Sequence, residues 1–133
     1  MTEPVWIHLQ AVFQFHDLSI AEFGGSMGIR DRGAIDSALG RPKNLFAYGN
    51  PDLFDLAAAY TSGLSQNRGF IDGNKRTAFV TGALFLEING YRLEAEQAEV
   101  IAAMLSLAEH VIDEAGYAQW LRDHAVRQSM IEA

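Results

Sequence analysis

Leu53, Phe54, Ala57, Ala58, Tyr60 and Leu64 form a heavily apolar run at helical spacing, and a helix of that kind must be covered by other helices. It therefore belongs at the centre of whatever the chain builds. Asn50 and Pro51 read as its N-cap and first helical residue. The covering elements can be read on both sides. Leu9, Val12, Phe13, His16, Ile20 and Phe23 recur at helical spacing up to a Gly24-Gly25 stop, and His16 on that stripe reads as a packing residue. Asp31 caps a short helix through Ala34, Ile35, Ala38 and Leu39, which Gly40 and Pro42 end. Lys75 to Asn89 is helical up to the Asn89-Gly90 stop. Ala98, Ile101, Ala102, Leu105 and Ala108 mark another helix, and Tyr117, Trp120 and Leu121 a last one. No strand-length alternation occurs, so the expected fold is all-α with about six helices. The exception is 41–50, RPKNLFAYGN. It is punctuated by Pro and Gly but too apolar for an idle linker, and it reads as a flap or short hairpin.

The 133 residues suffice for one domain, spanning 1–133, and are too few for two cores. Seventeen acidic and ten basic residues leave a net charge of −7, which argues against DNA, RNA or an anionic membrane as partner. The absence of cysteine excludes disulfides, thiolate nucleophiles and Cys-ligated zinc, and suits a reducing compartment. The start of the chain, MTEPVWIHLQ, has no basic region followed by an apolar stretch. A cytoplasmic protein is expected.

The distinctive chemistry lies in GFIDGNKRT, residues 69–77. Two glycines surround an acid, and a basic pair follows as a helix begins. A helix start leaves backbone N–H groups unpaired, glycine admits a ligand close to the backbone, and Lys75 and Arg76 add full charge. Phosphate suits such a loop, and Asp72 becomes useful beside it if Mg²⁺ bridges carboxylate and phosphate oxygens. Three of the ten basic residues, Arg68, Lys75 and Arg76, fall in this window. A Walker A loop is excluded, because three residues instead of four separate the glycines and GNKRT replaces GK[ST]. A calcium loop is excluded because cations stand where oxygen ligands should follow Asp72. The same residues also suit a plain turn, with Asp72 as a helix cap and two exposed cations.

FIDGNKRTA resembles the signature of the Fic/Doc (Fido) family, and of its Doc, or death-on-curing, toxin branch in particular. The family motif runs His-x-Phe-x-Asp/Glu/Asn-Gly/Ala-Asn-x-Arg, and Phe70, Asp72, Gly73, Asn74 and Arg76 occupy its places, with Lys75 where Doc-like members carry Lys. The flanking segments from His16 to Gly49 and from Phe85 to Leu93 are similar to Doc-like proteins as well. The resemblance implies the all-α Fido fold. It implies that Asp72 holds Mg²⁺, that Gly73, Asn74, Lys75 and Arg76 bind the phosphates of ATP, and that Phe70 points into the core. The flap from Arg41 to Asn50 would align a polypeptide target by strand-like pairing, with Phe46 and Tyr48 as contacts. Relatives that transfer AMP usually carry a second Arg where Phe79 stands. Its absence favours phosphoryl transfer to a Ser/Thr hydroxyl of a translation factor. No glutamate precedes Gly or Asn, so the inhibitory-helix pattern of many Fic proteins is missing. Restraint would come from an antitoxin whose disordered tail folds on binding.

One place departs from the pattern: Arg68 stands where the family carries its catalytic His. A guanidinium stays protonated and has no acceptor lone pair, so it cannot take a proton from a hydroxyl. General-base catalysis is typically worth about 10²–10⁴ in rate, and transfer should be impaired accordingly. Gly69, beside it, should loosen the helix-to-loop junction. Arg68 admits three readings: a lesion, natural or engineered, that spares the fold; a non-catalytic module that binds nucleotide or antitoxin, with Arg68 as a further phosphate contact; or slow transfer without a base. His8, His16, His110 and His124 all lie outside the loop and read as packed or surface residues.

Overall fold

The computed structural model describes residues 2–128 and is built from six helices and one small sheet: α1 Leu9–Phe23, α2 Arg32–Tyr48, α3 Leu53–Asn67, α4 Asn74–Ile88, β1 Tyr91–Leu93, α5 Gln97–Ala108, α6 Glu114–His124 and β2 Ala125–Arg127. The all-α expectation holds. The central element is α3, in which ten consecutive residues, Leu56–Ser65, are buried. It packs mainly on α4, α2 and α6, while α1 lies against α4. Small residues make the close approaches possible: Gly63 meets Ala38 of α2, and Gly82 of α4 meets Thr61 and the Ala57 carbonyl. The seam also carries a polar link: the buried Thr61 hydroxyl donates to the Ala78 carbonyl at 3.0 Å. Burial also pushes the Tyr60 phenol up to about 12, and its oxygen accepts the Ile7 N–H at 3.1 Å.

Residues 41–50 correct the expected flap or hairpin. The chain remains helical through Pro42 to Tyr48 as part of α2. Proline in a helix interior removes one backbone bond and costs about 3 kcal/mol or more in isolation. Here it is offset by what the continued helix buries: Pro42 is itself buried, Leu45 joins the core, and Phe46 packs edge-on against Trp6 at 5.7 Å between ring centroids. Phe46 is thereby a packing residue, whereas Tyr48 is 90% exposed at the helix end. An ion pair of 2.7 Å from Arg41 to Glu114 also ties α2 to α6.

The start of α3 is displaced from expectation too. Asp52, not Asn50, is the N-cap, in a reciprocal capping box with Asp55. Arg122 of α6 holds both carboxylates, at 2.9 and 3.1 Å. Burial raises the Asp52 carboxyl, but bonds from Arg122 and the Asp55 N–H outweigh it and hold the group below its ordinary value. The two strands were not expected. β1 pairs antiparallel with β2, Tyr91 opposite Arg127 and Leu93 opposite Ala125, and this joins the end of α4 to the end of α6.

Two glycines test the seam with opposite signs. A Cβ at Gly82 would strike α3, whereas one at Gly40 in α2 meets nothing within 4 Å. Gly82→Ala should lose up to about 2 kcal/mol, because overpacking outweighs the gain in helix propensity. Gly40→Ala should gain up to about 1 kcal/mol. Chemical denaturation of both variants checks the pair.

Candidate anion site at the start of α4

The loop between α3 and α4 is held from three directions. Its left edge is zipped to the segment before α2: Ile29 and Phe70 form an antiparallel bridge, the Gly69 carbonyl accepts the N–H groups of Arg30 and Asp31 at 2.8 and 2.9 Å, and Ile71 N–H donates to the Gly28 carbonyl at 3.1 Å. Gly69 therefore tightens the junction that it was expected to loosen. It is buried, and a Cβ there would strike Ile35 and the Asp31 carbonyl. From within, the Asn74 side chain bridges the Phe70 backbone, accepting its N–H at 3.0 Å and donating to its carbonyl at 2.9 Å. From below, His16 of α1 donates from Nε2 to the Asp72 carbonyl at 2.8 Å, and its ring stacks on Phe70 with centroids 3.9 Å apart. Both rings are buried. Phe70 thus points into the core as expected, and His16 is a packing residue that also orients the loop.

This framework aims the functional groups at one place. Gly73, with φ 75, is the N-cap of α4, and the first helical bond is from Thr77 N–H to its carbonyl at 3.1 Å. The N–H groups of Asn74, Lys75 and Arg76 therefore precede the intrahelical ladder. Asp72 is not the helix cap. Its Oδ1 accepts from Gly73 N–H and its Oδ2 from Ser26 N–H, each at 3.1 Å. The Gly24-Gly25-Ser26 turn wraps the carboxylate so closely that a Cβ at Gly25 would lie 2.8 Å from Oδ2. Arg76 reaches the same turn: it donates to the Gly24 carbonyl at 3.2 Å and lies over the Phe23 ring at 5.0 Å.

The loop opens onto a cleft of about 820 Å³ lined by, among others, Arg30, Arg68, Asp72, Lys75, Arg76 and His110. The volume is within the range that takes a drug-sized or nucleotide-sized ligand. Four cations face one carboxylate there, in a chain whose net charge is −7. The expected residues Arg68, Phe70, Asp72, Gly73, Asn74, Lys75 and Arg76 are brought together at this cleft. Phe46 and Tyr48 are not among its lining residues. Arg30 and His110 were missed, being far from the motif in sequence. Arg68 is the C-cap of α3 in a left-handed conformation, φ 50 and ψ 49, and is exposed to the cleft. Among the described residues no three His, Cys, Asp or Glu side chains form a metal-holding group.

Comparison with known proteins decides the family. Residues 6–86 match the model of the Fic/DOC family. The chain belongs to the Fic/DOC family. That stretch takes in α1 to α3 and most of α4, including the whole loop. The chain is 44% identical over 78 residues to a protein named Toxin Doc from Mycolicibacterium smegmatis, an alignment that covers 56% of this chain and 58% of that relative. It is 34% identical over 85 residues to Protein kinase doc of Escherichia phage P1, covering 63% of this chain and 68% of the phage protein. These likenesses belong to the Doc branch of the Fic/DOC family.

Asn74→Ala should leave the Phe70 N–H and carbonyl without their side-chain partner. The expected loss is about 1–3 kcal/mol, with amide exchange accelerated first at Phe70 and Ile71. Hydrogen exchange followed by mass spectrometry checks the order.

Proposed function

We propose that this Fic/DOC member is a Doc-like toxin of a toxin–antitoxin pair. In this reading it transfers the γ-phosphoryl group of MgATP to a Ser/Thr hydroxyl of a translation factor, with the reaction impaired by Arg68. The observation that carries the reading is the convergence of Arg30, Arg68, Lys75 and Arg76 with the single carboxylate of Asp72 at a helix N-terminus. Phosphates suit the N–H groups and cations, and phosphoryl transfer depends mainly on positioning and charge stabilisation.

The donor set fits Mg²⁺. Each Asp72 oxygen accepts one backbone N–H and keeps further acceptor capacity, and Asp72 lines the cleft. A cation that takes one or two protein carboxylates and completes its shell with phosphate and water needs no more. Mg²⁺ would supply charge neutralisation on the phosphates. The chain's own residues do the rest: the first N–H groups of α4 with Lys75 and Arg76 hold the phosphates, Asn74 fixes the loop, and His16 orients the Asp72 backbone.

Arg68 is where the reading departs from an ordinary transferase, since it offers charge and no acceptor. It also favours a second reading, a non-catalytic module in which Arg68 is one more phosphate contact. Restraint in the toxin reading comes from an antitoxin with a tail that folds on binding, and the setting is the cytoplasm. The names of the two relatives support a toxin and a kinase. Among the described residues no helix is long and apolar enough to cross a membrane.

Labelled ATP added to a cell extract separates the readings. Arg68→His should raise transfer from γ-labelled ATP by about 10²–10⁴ over the unmodified chain, and α-label should not transfer. Transfer of α-label would establish AMP transfer instead. Absence of transfer by both proteins would leave the binding module as the function.

A further inference from the structure

Arg68 deprives the cleft of an acceptor at the family's base position, yet the cleft does hold one imidazole. His110 lines it together with Arg68, Asp72 and Lys75. It stands one residue beyond the C-cap of α5, where its N–H donates to the Leu107 carbonyl at 3.2 Å and the Val111 N–H to the Ser106 carbonyl at 2.8 Å. That pair of bonds closes a helix on a left-handed residue, a place glycine fills without strain. Here φ is 59 and the residue is histidine.

Only two non-glycine residues among the described ones have positive φ, Arg68 and His110, and both line this cleft. Residues held in sparsely populated backbone conformations concentrate where side chains are used. A glycine at 110 would relieve the conformation and remove nothing that packs, since His110 is exposed and its side chain makes no hydrogen bond among the described residues. What glycine would remove is an imidazole, whose neutral ring carries a nitrogen lone pair that can accept a proton, which the Arg68 guanidinium lacks.

We infer that His110 is the proton acceptor for this chain's transfer reaction, in place of the base that Arg68 cannot supply; the inference rests on the phosphoryl-transfer reading above. The hydroxyl O–H bond breaks and its proton passes to an imidazole nitrogen of His110. The hydroxyl oxygen forms a bond to the γ-phosphorus of the nucleoside triphosphate, and the bond from that phosphorus to the bridging oxygen breaks, its electron pair leaving with the diphosphate. His110 then releases the proton to solvent at the cleft mouth. Arg68 stays with Lys75 and Arg76 on the side of the charge, stabilising the phosphoryl oxygens.

The test compares the unmodified chain, His110→Gly and Arg68→His in transfer of label from γ-labelled MgATP to protein in a cell extract. The unmodified chain should transfer slowly. His110→Gly should fall at least tenfold below it with an equal or higher melting temperature, because glycine suits the left-handed position, and added imidazole should restore part of the rate. Equal transfer by His110→Gly and the unmodified chain would overturn the inference. So would transfer by Arg68→His alone, or a loss in His110→Gly that imidazole leaves unchanged. If none of the three transfers label, the phosphoryl-transfer reading falls and His110 with it.

Discussion

Burial of α3 along ten consecutive residues is the constraint on which the other elements depend. A helix covered on every side can be approached closely only where side chains are small, and Gly63 against Ala38 and Gly82 against Thr61 are those places. The result is that α2, α4 and α6 pack around one rod. Its C-terminal end delivers Arg68, and the antiparallel return into α4 delivers Asp72 to Arg76. The position of the cleft follows from how α3 and α4 are packed by the helices around them.

The loop itself is rigid by hydrogen bonding more than by burial. Gly69 supplies a carbonyl with two donors, Asn74 closes a ring on Phe70, and His16 bonds the Asp72 carbonyl from beneath. These bonds leave Asp72, Lys75 and the first N–H groups of α4 facing the cleft, so charge is placed before any ligand arrives. Prepositioned charge is worth more to catalysis than charge that must reorganise. An acidic chain thus presents a basic cleft: Arg30, Arg68, Lys75 and Arg76 are gathered there around one carboxylate, although the net charge is −7.

Much of this was legible in the residues. The Gly24-Gly25 stop, the Asp31 cap and the Asn89-Gly90 ending stand where local chemistry puts them. The residues singled out in the loop motif do come together at one cleft, and the likeness to the family named the fold. What failed was local punctuation that tertiary packing overrides. Gly40 and Pro42 spell a helix end, yet burial of Pro42, Leu45 and Phe46 carries α2 through them. Asn50-Pro51 is a good cap, but Asp52 is the one that Arg122 of α6 can reach. β1 and β2 are three residues each, below the length at which alternation can be seen. Arg30 and His110 come to the cleft only through folding, the first by the bridge of Ile29 to Phe70 and the second by the end of α5. The one local sign of His110 was a helical pattern that stops without glycine, asparagine or proline.

The central claim is that the start of α4, with Asp72 and Arg76, is a magnesium-nucleotide phosphate site. Calorimetric titration of the unmodified chain with ATP, in the presence and absence of Mg²⁺, tests it most directly when repeated on Asp72→Ala and Arg76→Ala. The account predicts saturable binding that requires Mg²⁺ in the unmodified chain and its loss in both variants, with their helical circular dichroism unchanged. Binding of equal strength in all three proteins, or no binding to the unmodified chain, would contradict it.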